Sequence, residues 1–231
     1  MNKKIILILF ISLSIIMCTA VSAENLTTTD SGVVNGGLYS NAVQKTPYNE
    51  QTSGDNQEEV SFNITKKEAK TTGSSNTQTG SSSQTTQHIK NVTSAKLHTM
   101  IYVQNTNNRI SSYVNVSLDG DNDGTYEVEL ENNRLLNITS SKDGEVYRVN
   151  ENITRVYSDY LLSYDIADYI KADTVNVKVH AVSAAGDSDS KIKYVGLVAA
   201  YNVEDSQSDK EIHYWINSGH SWTDETSETT F

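Results

Sequence analysis

From residue 89 onward, apolar and polar side chains alternate in short runs that turn residues separate. In the two clearest runs, YVNVSL at 113–118 and VNVKVHAV at 175–182, an apolar residue falls at every second position. Successive side chains of a β-strand point to opposite faces, so each run predicts a strand with one buried face. Many such strands at short intervals are typical of layered sheets. We therefore predict an all-β fold of antiparallel sheets, arranged as a sandwich or a jelly-roll-like domain.

Other runs extend this pattern along the chain. Further strands are expected at 32–39, 60–65, 126–130, 195–200 and 212–216. Asp165 is placed to cap one short helical turn. That turn would bring Ile166, Tyr169 and Ile170 together and close one end of the sandwich.

The run TKKEAKTTGSSNTQTGSSSQTTQ at 65–87 contains one alanine and no larger apolar residue. A segment of this composition cannot bury enough surface to offset the entropy lost on ordering. We therefore predict a disordered polar insertion at about 65–88. It would lie inside a single domain at 31–231, which follows a flexible N-terminal segment at 24–30.

Residues 1–23 have the three parts of a secretory signal peptide. Two lysines precede an apolar run at 5–17, and the small-residue sequence VSA ends the segment at 21–23. The apolar run is shorter than the roughly 20 residues that cross a ~30 Å hydrocarbon core. We expect cleavage before Glu24, an extracellular or cell-surface location and no transmembrane span in the mature chain. An uncleaved membrane anchor is the alternative.

The one cysteine, Cys18, lies inside this leader. If it leaves with the leader, the exported chain has no disulfide, thiol nucleophile or thiolate metal site. Stability must then come from buried surface and from any bound ion.

The chain is strongly acidic. Its 29 Asp and Glu residues against 18 Lys and Arg give a formal charge of -11, and removal of the leader leaves 16 basic residues. Such a surface repels phosphate backbones and anionic lipid. We therefore exclude nucleic acid as a partner, along with electrostatic docking to membranes.

The sequence DGDNDGTYE at 119–127 separates two expected strands and places acidic residues at alternate positions. Gly124 permits a sharp reversal of the chain, so oxygen atoms from several positions can converge on one point. Hard oxygen ligands favour calcium over a softer metal. The candidate ligands are Asp119, Asp121, Asp123, the backbone carbonyl of Thr125, and Glu127.

This turn departs from an EF-hand loop. An EF-hand has a bidentate Glu at position 12, which is Leu130 here, and helices on both sides. The pattern therefore predicts either a strand-turn-strand calcium loop or a solvated hairpin turn in which Asp and Gly serve the backbone. Calcium is the candidate cofactor, and none is required.

Six N-x-[ST] sequences are candidates for N-linked glycosylation. They begin at Asn25, Asn63, Asn91, Asn115, Asn137 and Asn152. By alternation Asn115 falls on the polar face of its strand, and Asn137 lies opposite Leu136 and Ile138. Ordinary surface asparagines are the alternative.

No catalytic residue can be named from the sequence. The string GDSDS at 186–190 lies between two expected strands and fits a hairpin loop. The chain contains neither the serine-hydrolase motif G-x-S-x-G nor the zinc motif H-E-x-x-H. No histidine can therefore be named as a base for a serine of this string. A secreted hydrolase is the weakest functional alternative.

Aromatic side chains concentrate near the end of the sequence. Tyr214, Trp215 and Trp222 form a candidate ligand platform, because aromatic faces pack well on the apolar faces of sugars. Alternation of Tyr214 and Ile216 with Trp215 across a strand, with core or rim packing, is the competing interpretation.

The segments KYVGLVAAYNVED at 193–205 and HYWINSGH at 213–220 resemble a family of uncharacterised domains in exported, adhesin-like proteins of methanogenic archaea. SAKLHTMIYVQNT at 94–106 and YDIADYI at 164–170 fit the same pattern in order. The resemblance implies a surface location and a β-sandwich-like domain, with no catalytic residue to carry over. It leaves open whether the chain is a short relative or a C-terminally truncated fragment.

We expect a non-catalytic, cell-surface module with an adhesin-like or envelope structural role. Its partner would be an extracellular protein or a glycan. A carbohydrate-binding module that uses Trp215 or Trp222 is the first alternative, and a secreted hydrolase is the second.

Overall fold

The computed structural model describes residues 27–45, 55–65, 89–103, 111–137, 146–184, 190–203 and 211–219. Within these ranges the chain forms twelve β-strands and one 3-10 turn. The strands are β1 (Thr27–Val34), β2 (Gly36–Gln44), β3 (Asp55–Asn63), β4 (Ile89–Val103), β5 (Ser111–Asp119), β6 (Val128–Asn137), β7 (Tyr147–Arg148), β8 (Ile153–Val156), β9 (Asp159–Asp165), β10 (Thr174–Ser183), β11 (Ser190–Val203) and β12 (Ile212–Ser218). The leader at 1–23 and the polar insertion from 66 to 88 lie outside the described residues.

The strands form two main sheets and a separate ribbon. One sheet has the strand order β3-β10-β5-β6, and the other has the order β2-β11-β4-β9-β8-β7. The ribbon pairs β1 with β12. Every pairing between described strands is antiparallel. The prediction of an all-β sandwich is confirmed.

The main core lies between the two large sheets. The face of β10 that alternation predicts as buried holds Val175, Val177 and Val179, each 0% exposed. They share one hydrophobic core with Leu97 of β4 and Leu197 of β11. Fully burying a valine or leucine side chain contributes about 1.5–3 kcal/mol. Because a one-residue slip would turn these valines outward, burial fixes the register of β10 with its neighbours.

The segment at 32–39, predicted as one strand, instead forms the end of β1 and the start of β2. The break lies at Asn35, whose backbone N–H donates to Oδ1 of Asn202 at 2.7 Å. Before this residue the chain pairs with β12, and after it with β11. Both halves keep the period of a strand, so alternation could not show where the chain changes partner.

The ribbon of β1 and β12 packs on the outer face of the six-stranded sheet. Ala199 of β11 belongs to the main core, so the adjacent Ala200 points to the opposite face. There Ala200 joins a second hydrophobic cluster with Val34, Tyr214 and Ile216 of the ribbon. A third layer therefore covers part of this sheet.

The described strand structure begins at Thr27, inside the segment at 24–30 that we predicted to be flexible. Pairing with β12 accounts for this difference. Thr28 donates a hydrogen bond from Oγ1 to Oδ1 of Asn217 at 2.8 Å, and Thr27 lies opposite Ser218 in the ladder. A partner 189 positions away in the chain, as Asn217 is from Thr28, leaves no local signal in the sequence.

The 3-10 turn spans Ala167–Tyr169, one residue after β9, and its N-cap residue is Ile166 instead of the predicted Asp165. Its first backbone N–H, from Ala167, donates to Oδ1 of Asp165 at 3.3 Å. Ile166 and Ile170 enter the main core, as expected, but Tyr169 is 43% exposed and does not join them. Among the residues that the structure describes, no helix has the length and apolar character to cross a membrane.

A buried polar contact links the two large sheets. Tyr164 of β9 donates from its hydroxyl to Oε1 of Glu131 in β6 at 3.1 Å, and Nε of Arg134 donates to Oε2 at 2.8 Å. Burial and the neighbouring Glu131 carboxylate raise the pKa of Tyr164 well above its ordinary value. The phenol therefore stays protonated and remains a hydrogen-bond donor.

Replacement of this donor tests the contact. Tyr164→Phe should lower the free energy of unfolding by about 1–3 kcal/mol, because a buried oxygen of Glu131 loses its partner. Urea unfolding would measure the change. Tyr113→Phe, which removes a hydroxyl from a partly exposed ring, is the matched control and should stay within about 0.5 kcal/mol of the unmodified chain. Equal effects of the two substitutions would contradict the role of the contact.

Candidate metal site

The acidic turn connects β5 to β6 at one end of the four-stranded sheet. β5 ends at Asp119 and β6 begins at Val128, so the strand expected at 126–130 starts two residues later than predicted. Gly124 has a φ of 91° and Asn122 a φ of 61°. Glycine and asparagine are the residues that adopt this left-handed conformation most readily, which is why the chain reverses here.

Asp119 is fully buried at the base of the turn. Its Oδ2 accepts hydrogen bonds from the backbone N–H of Gly124 and from Nδ2 of Asn176, both at 3.0 Å. Its Oδ1 accepts from the backbone N–H of Asp123 at 3.2 Å. Burial raises the pKa of Asp119, but these donors outweigh it, and the pKa lies below its ordinary value. The buried carboxylate is therefore ionised at neutral pH.

Four carboxylates converge at the turn. Asp119, Asp121, Asp123 and Glu127 each offer one oxygen atom, and these atoms all lie within 4.8 Å of one another. Calcium binds oxygen at 2.3–2.6 Å, so two ligands of one ion are at most about 5 Å apart. The separation of the carboxylate oxygens therefore suits a shared cation of this size.

Thr125 also lies in the turn, and its side chain is exposed. Its backbone N–H donates to Oδ1 of Asp123 at 2.7 Å, which orients that carboxylate. The role expected for the Thr125 carbonyl oxygen as a ligand stays a prediction.

The turn is fixed to the segment between the 3-10 turn and β10. The carbonyl oxygen of Gly120 accepts from the backbone N–H of Lys171 at 2.8 Å and of Ala172 at 3.2 Å. A Cβ atom at position 120 would collide with the carbonyl oxygen of Tyr169. Only glycine permits this close approach, so the first half of the turn has a rigid support.

Asn176 was not identified from the sequence. It lies 57 positions from Asp119 and reaches the turn because the two residues face each other across β5 and β10. Its Nδ2 also lies 2.9 Å from Oδ1 of Asn122. The only sequence signal was its place on the polar face of β10, which it shares with Lys178 and His180.

Only Trp215 of the described residues in the predicted aromatic platform has an exposed ring. Trp215 is 68% exposed on the outer face of the ribbon, whereas Tyr214 is buried and faces the second hydrophobic cluster. Trp222 lies outside the described residues. The competing interpretation, alternation of Tyr214 and Ile216 with Trp215, matches this arrangement.

The glycosylation candidates occupy different environments. Asn63, Asn91 and Asn137 are exposed, and Asn115 and Asn152 are half-buried. Asn25 lies outside the described residues. The candidate asparagines therefore differ in solvent exposure, a difference that the sequence alone did not show.

Comparison with known proteins places the chain in one family. A family model described as "Protein of unknown function (DUF3344)" matches residues 21–231. No curated protein and no solved structure matches the chain.

The buried carboxylate gives a pH-dependent prediction. Asp119→Asn should lower the free energy of unfolding at pH 7 by about 1–3 kcal/mol, because the amide nitrogen that replaces one carboxylate oxygen cannot accept the hydrogen bonds made to that oxygen. Since folding depresses the pKa of Asp119 below 3.8, its contribution is complete above that pH and is lost as the pH falls through the folded-state pKa. The difference between the two chains should therefore shrink in acid.

Urea unfolding between pH 7 and pH 2, in the presence of a chelator, would measure this. Asp121→Asn is the control, because the Asp121 side chain is exposed. It should change stability by no more than about 0.5 kcal/mol at pH 7. A difference for Asp119→Asn that stays constant with pH would disprove the assignment.

Proposed function

We propose that this chain, which belongs to the DUF3344 family of proteins of unknown function, is a non-catalytic cell-surface module. Its role would be adhesin-like or structural in the cell envelope. In this proposal its acidic turn binds calcium. The observation that supports calcium binding is the convergence of four carboxylates, whose oxygen atoms lie within 4.8 Å of one another. The signal-peptide pattern at 1–23 and the acidic composition support an extracellular location.

Calcium suits this turn better than magnesium does. Calcium accepts six to eight oxygen ligands in flexible geometry, whereas magnesium demands a near-ideal octahedron and keeps several waters. Asp121 and Glu127 are exposed and can adjust, while hydrogen bonds fix Asp119 and orient Asp123. Extracellular calcium modules bind at about 10⁻⁴–10⁻³ M, which four carboxylates on one turn can reach.

Bound calcium would stiffen one end of the sandwich. Unit charges of the same sign 4 Å apart repel by about 1 kcal/mol in water and by more near a protein surface. An ion that neutralises the cluster removes this repulsion and joins the exposed carboxylates to buried Asp119. The rim between β5 and β6 would then present one fixed shape to a protein or glycan partner.

Polar groups in the interior support a structural rather than a catalytic role. Ser190, the last residue of the GDSDS string, is buried, and its hydroxyl lies 2.6 Å from that of Ser112. The Ser112 hydroxyl also donates to the carbonyl of Val182 at 3.1 Å. The Ser112 hydroxyl thus links β5 to β10 in its own sheet and to β11 in the other sheet. Such a contact holds the two sheets together.

Calcium titration tests the main proposal. The calcium-free chain should bind one equivalent in isothermal titration calorimetry. At tenfold excess over the dissociation constant the fold should gain about 1.4 kcal/mol, or roughly 3–6 °C in melting temperature. Magnesium at equal concentration should have a smaller effect.

The double variant Asp121→Asn/Asp123→Asn should lose the calcium response, since two exposed ligands are gone. Glu211→Gln removes an exposed carboxylate beside the ribbon and is the matched control, which should keep the response. Unchanged melting at millimolar calcium in the unmodified chain would rule out the site.

The exposed ring of Trp215 favours carbohydrate binding as a second candidate function. Val33, 45% exposed, lies on the same outer face of the ribbon, and Asn217 follows two residues after Trp215 on that face. An apolar ring beside amide groups matches a sugar, which has apolar faces and hydroxyl rims. Tyr214 takes no part, because it is buried.

A glycan array separates the two candidates. Trp215→Ala should abolish any glycan binding and leave the melting temperature unchanged, since this ring contributes little to the core. Tyr147→Ala removes another exposed ring, 60% exposed on β7, and should leave binding intact. Absence of glycan binding by the unmodified chain would eliminate this candidate.

A further inference from the structure

The first described strand is attached mainly through its partner strand. Among the described strands β1 pairs only with β12, and the ladder runs from Thr27 opposite Ser218 to Val34 opposite Ile212. Val34, at the end next to β2, is the only buried residue of β1, and it lies outside the main core. Segments that bury little apolar surface open more readily than core strands. β1 can therefore leave its place while the main core stays intact.

The strand that follows β1 is anchored in the six-stranded sheet. β2 pairs with β11, and its residue Tyr39 is buried in the main core. Asn35 lies alone between β1 and β2, and its side chain is exposed. Its backbone N–H donates to Oδ1 of Asn202 at 2.7 Å, which holds the bend. Release of β1 therefore requires a change of backbone direction only at this one residue.

The bend between β1 and β2 has a straight alternative. The segment at 32–39 keeps the period of a single strand, so a continuous strand over 27–44 satisfies the same alternation. Gly36 faces Asn202, and β11 ends at the next residue, Val203. A straightened β1 would therefore extend beyond the end of its own sheet, where β12 of another molecule can reach it.

The contacts of β12 are specific for the sequence of β1. Gly32 faces Tyr214, and a Cβ atom at position 32 would lie only 2.8 Å from the Tyr214 hydroxyl oxygen. Near the other end of the ladder, Oγ1 of Thr28 donates to Oδ1 of Asn217 at 2.8 Å. A strand with a larger residue in place of Gly32 would not fit in this register. The substitute that fits is therefore β1 from a second copy of this chain.

We propose that β12 of one molecule accepts β1 of a second copy of this chain when the bend at Asn35 straightens. The exchanged ribbon keeps the register and the contacts of the closed one, and only the hinge changes conformation. Within one molecule the tethered strand is present at an effective concentration of about millimolar, so exchange grows as molecules become crowded. This interaction needs neither calcium nor a glycan, so it stands or falls separately from the proposed function.

Two single-cysteine chains report the exchange directly. Both carry Cys18→Ser, which removes the one native cysteine, and one carries Thr28→Cys while the other carries Asn217→Cys. These two positions face each other in the ladder, and both side chains are exposed. A disulfide between the two chains at this rung forms when β1 of the first molecule pairs with β12 of the second.

The chains would be mixed at near-millimolar concentration in a glutathione buffer, and intact-protein mass spectrometry would give the yield of the mixed disulfide. The control mixture pairs Thr28→Cys with His213→Cys, which is also exposed but faces Val33 toward the other end of the ladder. Yield at the facing positions should be at least about tenfold higher, because distant Cα atoms cannot be bridged in the paired ribbon. Equal yields in the two mixtures would indicate random collision and would overturn the proposal.

Loosening the bend tests the hinge. Asn202→Ala in both chains removes the acceptor for the Asn35 backbone, so the mixed disulfide should form about three to ten times faster. Asn91→Ala is the matched control, because it removes a partner of Asn202 Nδ2 at 3.2 Å and leaves the contact to Asn35 in place. An unchanged rate for Asn202→Ala, or an equal rise in the control, would overturn Asn35 as the hinge.

A locked ribbon separates strand exchange from any other association. A chain with Cys18→Ser, Thr28→Cys and Asn217→Cys, oxidised in dilute solution, closes the disulfide within one molecule. By sedimentation velocity this oxidised chain should stay monomeric at concentrations where the same chain, after reduction, forms dimers or larger species. Equal sedimentation of the oxidised and reduced forms at every concentration would overturn the proposal.

Discussion

The register between β5 and β10 is the constraint on which both the core and the acidic turn depend. Across this pair Val177 faces Leu118, and Asn176 faces Asp119. One alignment therefore buries the apolar side chains and brings an amide donor to the buried carboxylate. A slip of one residue would expose the valines and separate Asn176 from Asp119 at the same time. The interior thus positions the fixed end of the candidate metal site.

Local sequence patterns could predict the features that depend on neighbours in the chain. Alternation located the interior strands β5 and β10, and the spacing of Asp119, Asp121 and Asp123 predicted a cluster that the structure does bring together. The break at Asn35 could not be predicted, because both of its flanking strands keep the same period. The hydrogen bond from Asn176 to Asp119 could not be predicted either, because it forms only when β10 pairs with β5. No local pattern in a single sequence shows which distant strands pair.

Polar contacts supplement the apolar core where the sheets meet. The described residues contain no cysteine, so no disulfide joins the sheets within them. Instead Tyr164 and Glu131 connect β9 to β6, and the two serine hydroxyls connect β11 to β5. Each contact satisfies a group whose burial would otherwise cost stability. These bonds are directional, so they select one alignment of the two sheets where hydrophobic burial alone would tolerate several.

The ribbon has a mechanical consequence. Because Thr27 lies opposite Ser218 in an antiparallel ladder, the two ends of the described fold leave the molecule side by side. Tension applied between these ends loads the outermost pair first and peels β1 from β12 one rung at a time. The sandwich beneath carries little force until the ribbon has opened as far as Val34. The ribbon would therefore lengthen under modest pulling and leave the main core, with its acidic turn, intact.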